Sequence, residues 1–136
     1  MKKKLNCVLL IDDDDATNYI HEYLLKKMNC AEQLCIEYHA EEALNKLRNK
    51  SLPEGENPEL ILLDLNIPSM NGWEFLQEFQ KLENHKESKI IILTTSLNPD
   101  DRKKAAAINE VIDFKNKPLT MDLLQEILNE HFPEHV

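Results

Sequence analysis

Leu60-Ile61-Leu62-Leu63-Asp64-Leu65-Asn66-Ile67-Pro68 is the stretch whose reading decides the fold. An uninterrupted apolar run delivers one carboxylate to a turn that Pro68, Asn71 and Gly72 close. A short run of this kind, bounded by turn residues, predicts a strand buried on both faces, which is the situation of a strand inside a parallel sheet. In open α/β sheets ligands bind outside the carboxyl ends of the strands, where the topology reverses. Asp64 therefore falls where such a sheet carries its chemistry, although a turn-capping role is open to any strand-terminal Asp.

Outward from this strand, apolar runs and helical periodicities alternate along the whole chain. Strands are predicted at Leu5 to Ile11, Leu34 to His39 (closer to an edge), Leu60 to Leu63, Lys89 to Thr94 and Val111 to Phe114. A first helix follows the acidic cluster with a face of Ala16, Ile20, Leu24 and Met28, and a second covers Glu41 to Asn49 with Ala43, Leu44 and Leu47 inward. Asn71-Gly72 opens a third, with Phe75, Leu76, Phe79 and Leu82 as its buried stripe. Asn98-Pro99-Asp100-Asp101 reads as a capped start for a short, alanine-rich fourth helix over 100–108. Thr120 caps a fifth with Leu123, Leu124, Ile127 and Leu128 inward. Residues 50–58, with two prolines and a glycine, are expected to form a surface loop. Such alternation implies parallel strands joined by right-handed crossovers, with helices on both faces.

The 136 residues suit one domain, expected to span residues 1–136 with a core over about 5–131 and no room for a second folded unit. No apolar run approaches the roughly 20 residues that a spanning helix needs. The basic start Met1-Lys2-Lys3-Lys4 lacks a signal-peptide core, so a cytoplasmic protein is expected. A net charge of −9 argues against nucleic acid as the main partner and makes divalent cations more plausible company. Cys7, Cys30 and Cys35 lack zinc-site spacing and read as reduced packing residues. His21, His39, His85, His131 and His135 are scattered singly, and a solvated surface position is expected for each.

The chemistry concentrates at one edge. Asp12 and Asp13 follow the first strand, Asp64 the third, Thr94 ends the fourth, and Lys117 with Pro118 follows the fifth. In a parallel sheet these ends lie together. Three carboxylates at close quarters repel one another unless a cation neutralises them, and such oxygen ligands suit Mg²⁺. Asp14 and Asp15 are better explained as the cap and first-turn acid of the first helix. An acid pair, an Asp, a Thr and a Lys on successive strand ends serve phosphoryl transfer onto a carboxylate. Asp64 would be the nucleophile, the acid pair would hold Mg²⁺, Lys117 would place a compact positive charge on a phosphoryl oxygen, and Thr94 would hydrogen-bond the attached group.

Val8-Leu9-Leu10-Ile11-Asp12-Asp13, Leu62-Leu63-Asp64-Leu65-Asn66-Ile67-Pro68-x-Met70-Asn71-Gly72, Ile91-Ile92-Leu93-Thr94-Thr95-Ser96 and Phe114-x-x-Lys117-Pro118 together resemble the receiver domains of two-component response regulators, closest to the single-domain, CheY-like group. The resemblance spans Val8 to Leu128. It implies a flavodoxin-like (βα)5 fold whose five-stranded parallel sheet has the order 2-1-3-4-5. It makes Asp64 the phosphoacceptor, Asp13 a direct Mg²⁺ ligand, Asp12 a ligand acting mostly through water, Asn66 a ligand through its backbone carbonyl, and Thr94 with Phe114 the switch pair. It further implies a sensor histidine kinase or phosphotransfer protein as donor and a downstream target protein, with neither nucleic acid nor membrane as partner. The surface of the fourth helix, fifth strand and fifth helix could also serve a homodimer. Such a chain is no enzyme beyond its own phosphorylation and slow autodephosphorylation, and uses no organic cofactor.

Two other readings compete. Leu10-Ile11-Asp12-Asp13-Asp14 also fits a haloacid-dehalogenase-type phosphatase, but that family needs an acidic metal motif after its Lys, where only the final helix remains, and it leaves Asp64 unused. A receiver fold that no longer accepts phosphate would have no need of the intact set of five residues. Phe114 departs from the simplest family pattern in offering no tyrosine hydroxyl, and residues 50–58 and Leu97-Asn98-Pro99 look longer than in compact members.

Overall fold

A computed structural model describes residues 4–50, 57–83 and 85–133. Five strands, β1 (Leu5–Ile11), β2 (Ala31–Glu37), β3 (Leu60–Leu63), β4 (Lys89–Thr94) and β5 (Val111–Asn116), alternate with five helices, α1 (Asp15–Lys27), α2 (Ala40–Arg48), α3 (Gly72–Phe79), α4 (Pro99–Ala106) and α5 (Met121–His131). All strand pairs are parallel and the order is β2-β1-β3-β4-β5, as the resemblance implied.

Alternate side chains of the central strands feed two separate cores, which is why these strands read as continuous apolar runs. Leu9, Ile11, Ile61, Leu63, Ile90 and Ile92 pack against α2, α3 and α4 on one face. Val8, Leu10, Leu60, Leu62, Ile91 and Leu93 pack against α1 and α5 on the other. Each such side chain contributes about 1.5–3 kcal/mol by leaving water. Phe75 and Phe79, one turn apart on α3, stack with centroids 5.7 Å apart. Each helix start has a local cause. Asn71 and Glu74 form a capping box on α3, and Asp14, Asn98 and Thr120 each accept a backbone N–H at the first turns of α1, α4 and α5.

The elements match expectation closely, with informative exceptions. β2 begins at Ala31 and ends at Glu37, and β5 runs on to Asn116. The extra β5 residues, Lys115 and Asn116, are polar and half-buried: Lys115 lies between Asp113 and Glu126, and Asn116 donates to the Ser96 carbonyl. The expected α1 face holds in its second half, where Leu24 is buried and Met28 packs on the core, and fails in its first. Ala16 is exposed and Ile20 is 50% exposed, whereas Asn18, His21, Leu24 and Leu25 face inward. Polar Asn18 turns toward the sheet because its partner is the Asp12 carbonyl just past β1, a contact that hydrophobic periodicity does not register. His21 is buried, contrary to the surface position expected of it, and His85 and His131 are half-buried and paired with Glu110 and Asp113. His39 is exposed as expected, and His135 lies outside the described residues, as does most of the expected loop, residues 51–56. All three cysteines are buried and none is in a disulfide; the Cys7 and Cys35 sulfurs approach to 3.8 Å across β1 and β2.

Candidate functional site

The register carries the ends of β1, β3 and β5 to one edge of the sheet. Ile11 pairs with Leu63, so the next residues, Asp12 and Asp64, emerge side by side, and the Asp64 N–H donates to the Ile11 carbonyl at 3.0 Å. Carboxylate oxygens of Asp12, Asp13 and Asp64 lie within 4.8 Å of one another. Asp12 and Asp64 are buried, while Asp13 is exposed. From β5 the Lys117 ammonium reaches between the two buried carboxylates, 2.6 Å from Asp12 Oδ2 and 3.3 Å from Asp64 Oδ2.

Local hydrogen bonds fix each group. Asp12 Oδ1 accepts from the Asp14 N–H at 3.0 Å, and Asp64 Oδ1 from the Asn66 N–H at 3.3 Å. Asn66 itself is exposed on the turn. There Met70 N–H reaches back to the Pro68 carbonyl around Ser69, whose φ of 71° is uncommon for a residue with a side chain. Gly72 closes the turn against the backbone of Leu65. A Cβ at Gly72 would meet Leu65 Cα at 2.8 Å and the Asp64 carbonyl at 3.0 Å, so only glycine fits.

Burial holds the Asp64 carboxyl above the ordinary carboxylate range; the Lys117 charge pulls it back, and Asp12 pushes it up further. For Lys117 burial works downward, but the Asp12 hydrogen bond and the Asp64 charge outweigh it, and its pKa is raised. The site is thus a buried cation between two carboxylates, one of which, Asp64, ionises reluctantly. Oxygen donors at this spacing fit a hard divalent cation.

Thr94 is wholly buried at the end of β4, where its Oγ1 accepts from the Ser96 N–H at 3.2 Å. Asn116 ties this strand end to β5, donating to the carbonyls of Ser96 at 2.7 Å and Thr94 at 3.4 Å. Arg102 on α4 in turn donates to Asn116 Oδ1 at 3.2 Å and to the Phe114 carbonyl at 3.1 Å, and its guanidinium lies 4.9 Å from the Phe114 ring centroid. Asn18, Asn116 and Arg102 were not singled out in the sequence, because isolated polar residues carry no spacing signal and their contacts form only in three dimensions. Phe114, which the resemblance pairs with Thr94, is buried against the core, 6% exposed, under Arg102. α4 buries only Ala105, but Arg102 and the Lys104 ammonium, 4.5 Å from the Trp73 ring centroid, add anchors to β5 and α3.

The family model of the response regulator receiver domain matches residues 8–129. The chain belongs to that family. A two-component response regulator from Cytophaga hutchinsonii, 32% identical, superposes with a TM-score of 0.84 over 94% of this receiver and 97% of that chain. Two-component response regulator 24 of Arabidopsis thaliana is 31% identical over 90% of this chain and 81% of its own length. Response regulator Rcp1 of Synechocystis is 34% identical over 69% of the receiver, a match that spans 65% of Rcp1. With the family established, the haloacid-dehalogenase reading falls, and Asp64 keeps its place at the centre of the site. Among the described residues of the receiver, no helix is long and apolar enough to cross a membrane.

Proposed function

We propose that this receiver accepts a phosphoryl group on Asp64 from a sensor histidine kinase or a phosphotransfer protein, with Mg²⁺, and signals by binding a downstream protein from the cytoplasm. The observation that carries the reading is the convergence of Asp12, Asp13 and Asp64 with the Lys117 ammonium at one sheet edge. An Asp64 oxygen forms a bond to phosphorus as the bond from phosphorus to the donor imidazole nitrogen breaks, and that nitrogen leaves with the electron pair and takes up a proton. Asp12, Asp13, Asp64 and the Asn66 carbonyl would hold Mg²⁺, which supplies charge neutralisation on the phosphoryl oxygens. Lys117, already 3.3 Å from Asp64, is placed to follow a phosphoryl oxygen. Thr94 can exchange its Ser96 contact for a hydrogen bond to the attached group, which brings roughly −1.5 to −2 charges. In this reading residues 1–136 act as a single receiver unit, with no catalysis beyond its own phosphorylation and dephosphorylation. Incubation with Mg²⁺ and acetyl phosphate should add the mass of one phosphoryl group. A chain that stays at its starting mass under these conditions would be a receiver fold that no longer accepts phosphate.

Asp13→Ala should weaken Mg²⁺ binding by at least about tenfold, since even outer-shell partners of a metal are worth that much. Titration calorimetry measures it, and unchanged affinity would show that the cation lies elsewhere.

Signal transmission would run from Thr94 to α4. Phe114, the other member of the switch pair, sits under the Arg102 clamp, so movement of that clamp with the helix that bears it would be a population shift between two packings. Hydrogen exchange with and without beryllofluoride should change mainly in residues 95–128. Changes confined to the turn after Asp64 would disprove the coupling.

A further inference from the structure

Asn18 is the fourth residue of α1 and is 1% exposed. A fully buried carboxamide adds little to a hydrophobic core, and asparagine is a poor helix former. Its Nδ2 donates to the Asp12 carbonyl at 2.8 Å. That carbonyl lies just past the last rungs of the ladder, which are taken by Asp12 N–H to Glu37 at 3.2 Å and by the Ile11 carbonyl from Asp64. The amide cannot turn over without setting its oxygen against the carbonyl oxygen. Its Oδ1 is consequently left without a partner, the sole buried side-chain nitrogen or oxygen in that condition among the described residues.

A side chain whose amide reaches the Asp12 carbonyl and the Tyr38 hydroxyl while its buried oxygen stays unmet is poorly explained by stability alone. Its neighbour one turn on, His21, is also buried, and burial followed by the nearby Lys117 charge pushes its pKa down to about 4, so the wall of α1 beside the site is polar but uncharged. Asp12 is thereby gripped at its N–H by Glu37, at its carbonyl by Asn18 and at Oδ1 by Asp14, with Oδ2 left to Lys117.

We propose that Asn18 is a positioning residue for the acidic site, fixing through the Asp12 carbonyl where the Asp12 carboxylate stands and so setting the receiver's affinity for its divalent cation. The inference rests on the phosphoacceptor reading above and extends it to a residue outside the ligand set.

The test compares the full chain with Asn18→Ala and Asn18→Leu. The readouts are the Mg²⁺ Kd by calorimetry, the rate of phosphorylation by acetyl phosphate at saturating Mg²⁺, and urea unfolding without metal. We expect the Kd to rise about tenfold in both variants, as for other outer-shell partners of a metal. The rate at saturating Mg²⁺ should stay within a few-fold of the parent, and the metal-free unfolding midpoint should fall less in Asn18→Leu than in Asn18→Ala, because both leave the Asp12 carbonyl without its donor but only alanine also leaves a void. An unchanged Kd in both variants overturns the inference, as does a Kd that rises only in step with lost stability. Should the parent chain itself bind no Mg²⁺, the phosphoacceptor reading falls and takes the inference with it; a parent that binds Mg²⁺ beside variants of equal affinity defeats the inference alone.

Discussion

Asp64→Asn should take up no phosphoryl group at all, while folding at least as well as the parent. The first half follows from chemistry, because an amide oxygen is too weak a nucleophile to form the acyl phosphate. The second half follows from the electrostatics of the site. Burial raises the Asp64 pKa, so its ionised form is disfavoured in the folded chain, and above the folded pKa its charge opposes folding. The opposition fades as pH falls through the folded value toward the unfolded one near 3.8. Lys117 works in the opposite sense. Its raised pKa stabilises the fold at all pH values below its ordinary 10.5, and that contribution is lost only as pH rises through the folded value. The asparagine variant does not strand it, because Asp12 remains 2.6 Å away. At neutral pH the variant should therefore unfold at an equal or higher urea concentration than the parent, with the excess shrinking toward pH 4. Intact-mass measurement after acetyl phosphate and Mg²⁺ checks the chemistry, and unfolding at two pH values checks the energetics. A variant much less stable than the parent at pH 7 would mean that the Asp64–Lys117 contact outweighs the burial of the charge.

Gly72→Ala should destabilise the fold by about 2–3 kcal/mol, the upper part of the range for overfilled sites. The new Cβ meets Leu65 Cα at 2.8 Å and the Asp64 carbonyl at 3.0 Å, and these are backbone atoms with little room to yield. Alanine's better helix propensity, at most about 1 kcal/mol, is too small to compensate at the first residue of α3. The strain falls on the peptide that carries Asp64, so phosphorylation should slow as well. Urea unfolding at constant m-value measures the first effect, and the initial rate with acetyl phosphate the second. An alanine variant as stable as the parent would show that the turn has slack which the close approach does not suggest.

Where side chains are apolar and contacts follow the chain's own periodicity, the sequence is an adequate guide. β1, β3 and β4 were legible to the residue, because a strand buried on both faces is built round an unbroken apolar run, Cys7 to Ile11, Leu60 to Leu63 and Ile90 to Leu93. Asp12 and Asp64 were legible for a related reason: each is the first charged group after such a run, and parallel pairing leaves them one shared edge, whereas Lys117, preceded by Lys115, was marked by the Pro118 that follows it. The inward side of α1 was legible at Leu24 and Met28 but not in its first half. Its buried positions include Asn18 and His21, whose surroundings are set by the third dimension and not by hydrophobicity. The burial of Phe114 was not legible either, since a ring's surroundings depend on what covers it, here Arg102 from a different element.

The contact between Lys104 and Trp73 gives the chain an optical property. Trp73 is the sole tryptophan, placed in the first turn of α3, and the charge over its ring is carried by α4. Indole emission responds to a neighbouring ammonium and to the water that replaces it. Withdrawal of α4 would therefore be reported in the ultraviolet fluorescence of the unlabelled protein, in real time and from a residue that is not among the phosphorylation groups.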